Sequence, residues 1–252
     1  AGVGALLEQL FSLPLWTGSL IFITVVSVIS LLGFTGMVSA FSLTVPILAA
    51  VTLIFGAVSL FENGLSVAPV SADSSNPLMD SWLVAAVSFA CYNIFGTIPI
   101  LAPLGSTVKS RAHSLGGLIL GASLLFLIAG SVLVSVSASP EYISAELPML
   151  ALASDKSRLL GYVYGALLLF AMFGTSLSSL VAFVNLASLK SKKIAARPVL
   201  FTVICAVAVF FGSLFGFGDL IGVIYPLFGY ISSIFIVTVV IHFFKTKKKV
   251  QS

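Results

Sequence analysis

Long apolar runs broken by short charged, proline-rich or polar clusters dominate the chain. A helix crossing a bilayer needs about 20 mostly apolar residues, and seven runs meet that need: about 16–36, 42–60, 82–104, 114–137, 159–189, 198–216 and 220–244. The fifth run exceeds what a straight crossing requires, so it is expected to tilt or project from the bilayer. Gly218-Asp219, read as a tight turn, separates the sixth from the seventh. The opening AGVGALLEQLF reads as the end of an apolar helix running into a loop. Residue 1 is Ala and no basic segment precedes the first apolar stretch, so no signal peptide is visible and a processed or truncated chain is expected. Residues 62–81, rich in Ser, Pro and Asp, read as an external loop. Residues 138–158 read as a short external helical hairpin over the bundle. Ser139-Pro140-Glu141 offers an N-cap and a first-turn proline, and the apolar pattern of YISAELPMLALA is interrupted at Pro148.

Composition fixes the solvent. Of 252 residues, 59% are hydrophobic and 8% charged, with a mean hydropathy of +1.20. A soluble domain carries about 25% charged residues, so an ordinary soluble enzyme is excluded, as is a nucleic-acid partner for the basic pI. The runs are too long for barrel strands, which leaves an all-α polytopic membrane protein of seven transmembrane helices. Cys91 and Cys205 lie in apolar runs and read as small hydrophobes. Lys109 and Arg111, the cluster Lys190, Lys192, Lys193 and Arg197, and the terminal Lys245, Lys247, Lys248 and Lys249 fall on one side if every run crosses once. Lys156 and Arg158 fall on the other with most of the acidic residues. The positive-inside rule then predicts a cytoplasmic C-terminus, anchored by KTKKK at lipid headgroups, and an external N-terminal stretch.

The runs contain essentially no charge, and their polar content is neutral. In SFACYNIFGTIPILAP (88–103), Ser88, Tyr92 and Asn93 precede Gly96, Pro99 and Pro103. The prolines remove backbone donors and free carbonyls, and discontinuous membrane helices present such groups to a substrate or ion. A plain proline kink, with Asn93 bonded to a neighbouring helix, is the competing reading. In FGTSLSSLVAFVN (173–185), Thr175, Ser178 and Ser179 share a helical face with Asn185 further along. Grouped hydroxyls suit a small hard cation such as sodium, although Ser and Thr also serve as close-packing residues bonded to their own helix. Gly117-x-x-x-Gly121 and Gly212-x-x-x-Gly216 are expected to mark close helix packing, and Tyr225-Pro226 a kink in the last run. His113 and His242 sit at helix ends as interfacial residues. No catalytic constellation can be assembled, so no enzyme activity and no resident cofactor are expected.

The order of these features resembles the amino acid–polyamine–organocation superfamily of secondary transporters, in particular its YkvI-like branch. Four stretches carry the likeness: AGVGALLEQLFSLP, SFACYNIFGTIPILAPLG, ELPMLALA and DLIGVIYPLFGYISSIFIV. The resemblance implies a LeuT-type fold of two inverted five-helix repeats. Residues 1–14 would end the family's third helix, and the seven runs would be its helices four to ten. Residues 1–61 would then close the first repeat, 82–244 form the second, and 138–158 be the external hairpin. On that alignment Ser88, Cys91, Tyr92 and Asn93 are the substrate-contacting candidates. Thr175, Ser176 and Ser179 are the candidate sodium ligands, in a register set to within one helical turn. The family's first two helices, and most of its third, would be missing. A fragment of a longer transporter is therefore expected, unable to transport alone.

The expected function is alternating-access transport of a small organic solute, an amino acid or related amine, with a coupling cation such as sodium. The partners are that solute and the lipid bilayer. A receptor-like or structural seven-helix protein is the alternative, while a retinal pigment is excluded because the last run has no buried lysine.

Overall fold

A computed structural model describes the backbone of residues 1–32, 37–64, 76, 78–105 and 110–250, and the side chains of 1–32, 46–62, 64, 76, 78–98, 110 and 112–246. Most of the 62–81 loop, the side chains of Pro99 and Pro103, and those of Lys109, Arg111 and Lys247–Lys249 lie outside the described residues.

The described chain is helical: α1 (Gly2–Phe11), α2 (Leu15–Leu31), α3 (Met37–Asn63), α4 (Trp82–Gly105), α5 (Arg111–Ser137), a 3-10 turn (Pro140–Tyr142), α6 (Pro148–Lys156), α7 (Arg158–Lys190), α8 (Lys192–Ala195), α9 (Pro198–Ser213) and α10 (Phe217–Val250). Each expected run has its helix. By length and composition, Ala112–Ser137, Arg158–Lys190 and Phe217–Thr246 can cross a membrane, and the described parts of the other main helices are apolar but shorter. α5 shows what the low charge content implies: Leu120 is 72% and Phe126 77% exposed. Water would not tolerate so continuous an apolar surface, whereas lipid does.

Local chemistry explains the boundaries. α1 ends at Ser12, which takes a left-handed φ of 53° and returns its N–H to the Glu8 carbonyl. α6 and α9 both open on a proline, Pro148 and Pro198, at a position where a missing N–H costs nothing. Pro148 therefore starts a helix rather than breaking one. Ser139 precedes the 3-10 turn but makes no capping bond through its side chain.

Two expectations need correction. The turn between the last two runs is not Gly218-Asp219; it centres on Gly216, whose φ of 84° suits glycine. Gly218 and Asp219 lie in the first turn of α10, where an acidic side chain complements the helix dipole. The run 82–104 is not discontinuous either, because α4 continues as one helix to Gly105. A proline removes one rung and bends a helix; the surrounding rungs keep it whole.

The chain divides into two compact units, residues 1–69 with 116–217 and residues 70–115 with 218–252. In the first, the core gathers Ala5, Leu6, Phe55, Leu150, Ala153 and Tyr164 from α1, α3, α6 and α7, with Leu147 from the residue just before α6. Small residues permit the close approaches: Gly4 lies against Leu15 and Ser19, Gly56 against Ser131, and Gly161 against Ser154. The hairpin 138–158 is held down by Gln9, whose amide donates to the Leu147 carbonyl at 3.4 Å, and by a Lys156–Glu62 ion pair at 3.0 Å. In the second unit α4 packs along α10. Nothing approaches Gly117, Gly121 or Gly212 among the described residues, so those glycines are not packing points there. Gly216 serves the turn instead.

Candidate functional site

α4 presents Ser88, Cys91, Tyr92 and Phe95 at helical spacing along one stripe. Ser88 is 2% exposed and lies against Gly229 of α10; a Cβ added at Gly229 would stand 2.8 Å from Ser88 Cβ and 3.0 Å from its Cα. The Tyr92 ring meets Tyr225 edge-on at 4.9 Å and Phe89 at 5.4 Å. Phe95 meets Phe228 at 5.7 Å and Phe235 at 5.2 Å. Edge-to-face pairs of this kind fix ring orientation as well as burying area. Within this apolar and aromatic seam, the buried hydroxyls of Ser88 and Ser232 have no hydrogen-bond partner among the described residues.

Of the four substrate candidates, Ser88 and Tyr92 meet on the α10 seam, with Cys91 half-buried beside them as a free thiol. Asn93 stands apart. It is exposed, off the stripe, and its Nδ2 donates to the Phe89 carbonyl at 2.8 Å. An exposed carboxamide among exposed Val87, Phe89 and Ile94 is the most polar feature of that face of α4.

The hydroxyl set on α7 falls in the other unit. Thr175 is exposed and donates to the Ala171 carbonyl at 2.9 Å; Ser178 donates to the Gly174 carbonyl at 2.8 Å. Ser176 is half-buried and Ser179 exposed. The opposite face of α7 carries Phe173 and Leu177, which pack with Val26 in a small core. Thr175 and Ser179 thus share a face directed away from that core, and Ser176 sits at its margin. Their hydroxyl oxygens keep lone pairs available after the protons are donated.

The sequence reading missed the α10 contribution and Asn76. Gly222, Tyr225, Pro226, Gly229 and Ser232 recur at three- and four-residue spacing, the mark of a small and polar stripe on one helical face. Only the kink at Tyr225-Pro226 was legible without knowing that α4 is its partner. Asn76 Nδ2 donates to the Gly222 carbonyl, and the Tyr230 hydroxyl donates to the Leu78 carbonyl.

No protein-family model matches the chain, and no solved structure matches it significantly. Two curated Bacillus subtilis (strain 168) proteins are similar to it. The uncharacterized membrane protein YkvI is 28% identical over 239 residues, covering 94% of this chain and 66% of the relative. The uncharacterized protein YyaD is 25% identical over an alignment of 263 positions, covering 96% of this chain and 69% of the relative. The chain thus spans about two thirds of the length of the relatives it matches. Its apolar helices and this likeness agree: the chain is an all-α, multi-pass membrane protein similar over nearly its whole length to YkvI.

Proposed function

We propose that this chain is part of a secondary active transporter that moves a small organic solute, an amino acid or amine, by alternating access. In this reading it belongs with the amino acid–polyamine–organocation carriers and adopts their LeuT-type repeat arrangement. The observation that carries the proposal is the neutral polar patch on α4. Asn93 is exposed on a membrane helix whose surrounding face is apolar, and Ser88, Cys91 and Tyr92 sit close by on the adjoining stripe. Asn93 already gives an amide proton to the Phe89 carbonyl, which leaves its carboxamide oxygen for a partner supplied by protein, water or ligand, and a zwitterionic or amine solute offers the complementary donor. The exposed hydroxyl face of α7, with Thr175 and Ser179 and the half-buried Ser176 at its margin, is assigned to a coupling sodium ion. The C-terminal lysines are assigned to the cytoplasmic side, and no enzymatic step or resident cofactor is invoked.

Uptake of radiolabelled amino acids and amines into proteoliposomes, using a protein of the relatives' full length, tests the assignment. Asn93→Leu is expected to raise the solute concentration for half-maximal uptake while leaving expression intact. Unaltered uptake kinetics would remove Asn93 from the site. The second reading is a receptor-like or structural membrane protein without transport. The self-bonded hydroxyls of Thr175 and Ser178 favour it, since side chains bonded to their own helix need no ligand. Absence of uptake for every solute, with ligand binding or none, would establish that reading.

A further inference from the structure

Pro226 lies inside α10 and is almost fully buried. It has no N–H, so the carbonyl four residues earlier, on Gly222, has no partner within the helix. An unsatisfied carbonyl is costly away from water. Here the missing donor comes from outside the helix: Asn76 Nδ2 donates to Gly222 O. The Asn76 side chain lies over Gly222, 3.9 Å from where a Cβ would stand.

The donor is held in place from its other end. Asn76 Oδ1 accepts the Leu78 N–H at 2.9 Å, and the Asn76 carbonyl accepts the Met79 N–H at 2.8 Å, which closes a tight turn just before α4. Tyr230 then donates its hydroxyl to the Leu78 carbonyl. Asn76 and Leu78 are therefore tied to α10 on both sides of the proline, at Gly222 before it and Tyr230 after it. Continuing from that segment, α4 carries Ser88 and Tyr92 onto Gly229 and Tyr225 of the same helix.

We propose that Asn76 is the latch of a proline hinge in α10, substituting for the backbone donor that Pro226 lacks and thereby locking the entry of α4 to that helix. Releasing Asn76 frees the Gly222 carbonyl, loosens the helix around Pro226 and lets the α4 entry separate from α10. Its purpose in alternating access rests on the transport reading; the latch itself does not.

Three variants of the full-length protein separate the cases. Asn76→Asp keeps an acceptor for the Leu78 N–H but has no proton to give Gly222. Pro226→Ala restores an internal N–H for Gly222, which makes the Asn76 donor redundant. The double variant combines them. Hydrogen–deuterium exchange followed by mass spectrometry reads peptides covering 76–82 and 217–230. Asn76→Asp is expected to speed exchange in both by about tenfold, the scale of one lost hydrogen bond to a buried group. On the Pro226→Ala background the same change is expected to have no effect on the α10 peptide. If Asn76→Asp alone fails to fold, its folding and native exchange on the Pro226→Ala background still support the latch. Exchange unchanged by Asn76→Asp, or raised equally with and without Pro226, overturns it. Solute uptake is measured in parallel: wild-type protein that exchanges as expected but transports nothing refutes the transport reading and leaves the latch standing.

Discussion

Replacing Gly229 by Ala puts a methyl group where Ser88 already lies. The new Cβ would stand 2.8 Å from Ser88 Cβ and 3.0 Å from Ser88 Cα, with the Ser88 hydroxyl closer still. Carbon–carbon contacts are comfortable at about 3.5–4.0 Å, so α4 and α10 would have to part by about 1 Å at this point. Overpacking of this kind costs about 1–3 kcal/mol, against a gain of about 0.8–1.0 kcal/mol for replacing a helical glycine by alanine. Gly117→Ala is the matched control, because nothing among the described residues lies within 4 Å of its Cβ position and only the gain applies. The two variants should differ by about 2 kcal/mol, or about 4–8 °C in midpoint, with Gly229→Ala below the parent and Gly117→Ala above it. Thermal ramps in detergent, read by fluorescence-detected size exclusion, measure this directly. Ser88→Gly removes both the Cβ and the hydroxyl, so Gly229→Ala should cost less on that background. A Gly229→Ala protein that melts at or above the parent, or a cost unchanged by Ser88→Gly, would refute the described α4–α10 seam.

Thr175→Ala combined with Ser179→Ala should weaken any sodium dependence of uptake without destabilising the bundle, since both side chains are exposed; an unchanged sodium response would sink that ion site. Lys156→Gln should lower stability by less than about 1 kcal/mol, because its pair with Glu62 is partly solvated, and high salt should erase the difference from the parent in a denaturation midpoint. The Tyr142 hydroxyl is pushed up by desolvation and then by its hydrogen bond and charge contact with Asp155. It should therefore stay protonated at a pH where free tyrosine ionises, and Asp155→Asn should bring its titration down, as followed by NMR of labelled tyrosine.

The helices were legible because apolar run length alone identifies a crossing segment, and the seven runs each acquired a helix. The prolines of 138–158 marked the short helical turns there, although Pro148 opens a helix where a break was expected. What sequence could not supply was pairing. Ser88 reads as a polar residue in an apolar run, and nothing local reveals that Gly229, far along the chain, removes its access to solvent. The same holds for Gly117 and Gly121, whose spacing is that of a packing motif but whose faces meet nothing among the described residues. Proline was misjudged in α4 for a related reason: the rungs lost at Pro99 and Pro103 were taken as a break, while the remaining rungs carry the helix through.

The brevity of α9 bears on the membrane around it. Its 16 residues run from Pro198, next to Arg197, to Ser213, just before the left-handed Gly216. At about 1.5 Å per residue it measures about 24 Å, against a hydrocarbon thickness of about 30 Å. α7, with 33 residues, overshoots that thickness, so the two ask opposite things of the surrounding lipid. Tilting relieves the long helix but worsens the short one, leaving acyl chains beside α9 to compress or the flanking residues to stretch toward the headgroups. Where α9 crosses the bilayer it therefore sets a hydrophobic mismatch against α7, and shorter acyl chains are expected to fit beside it better than long ones.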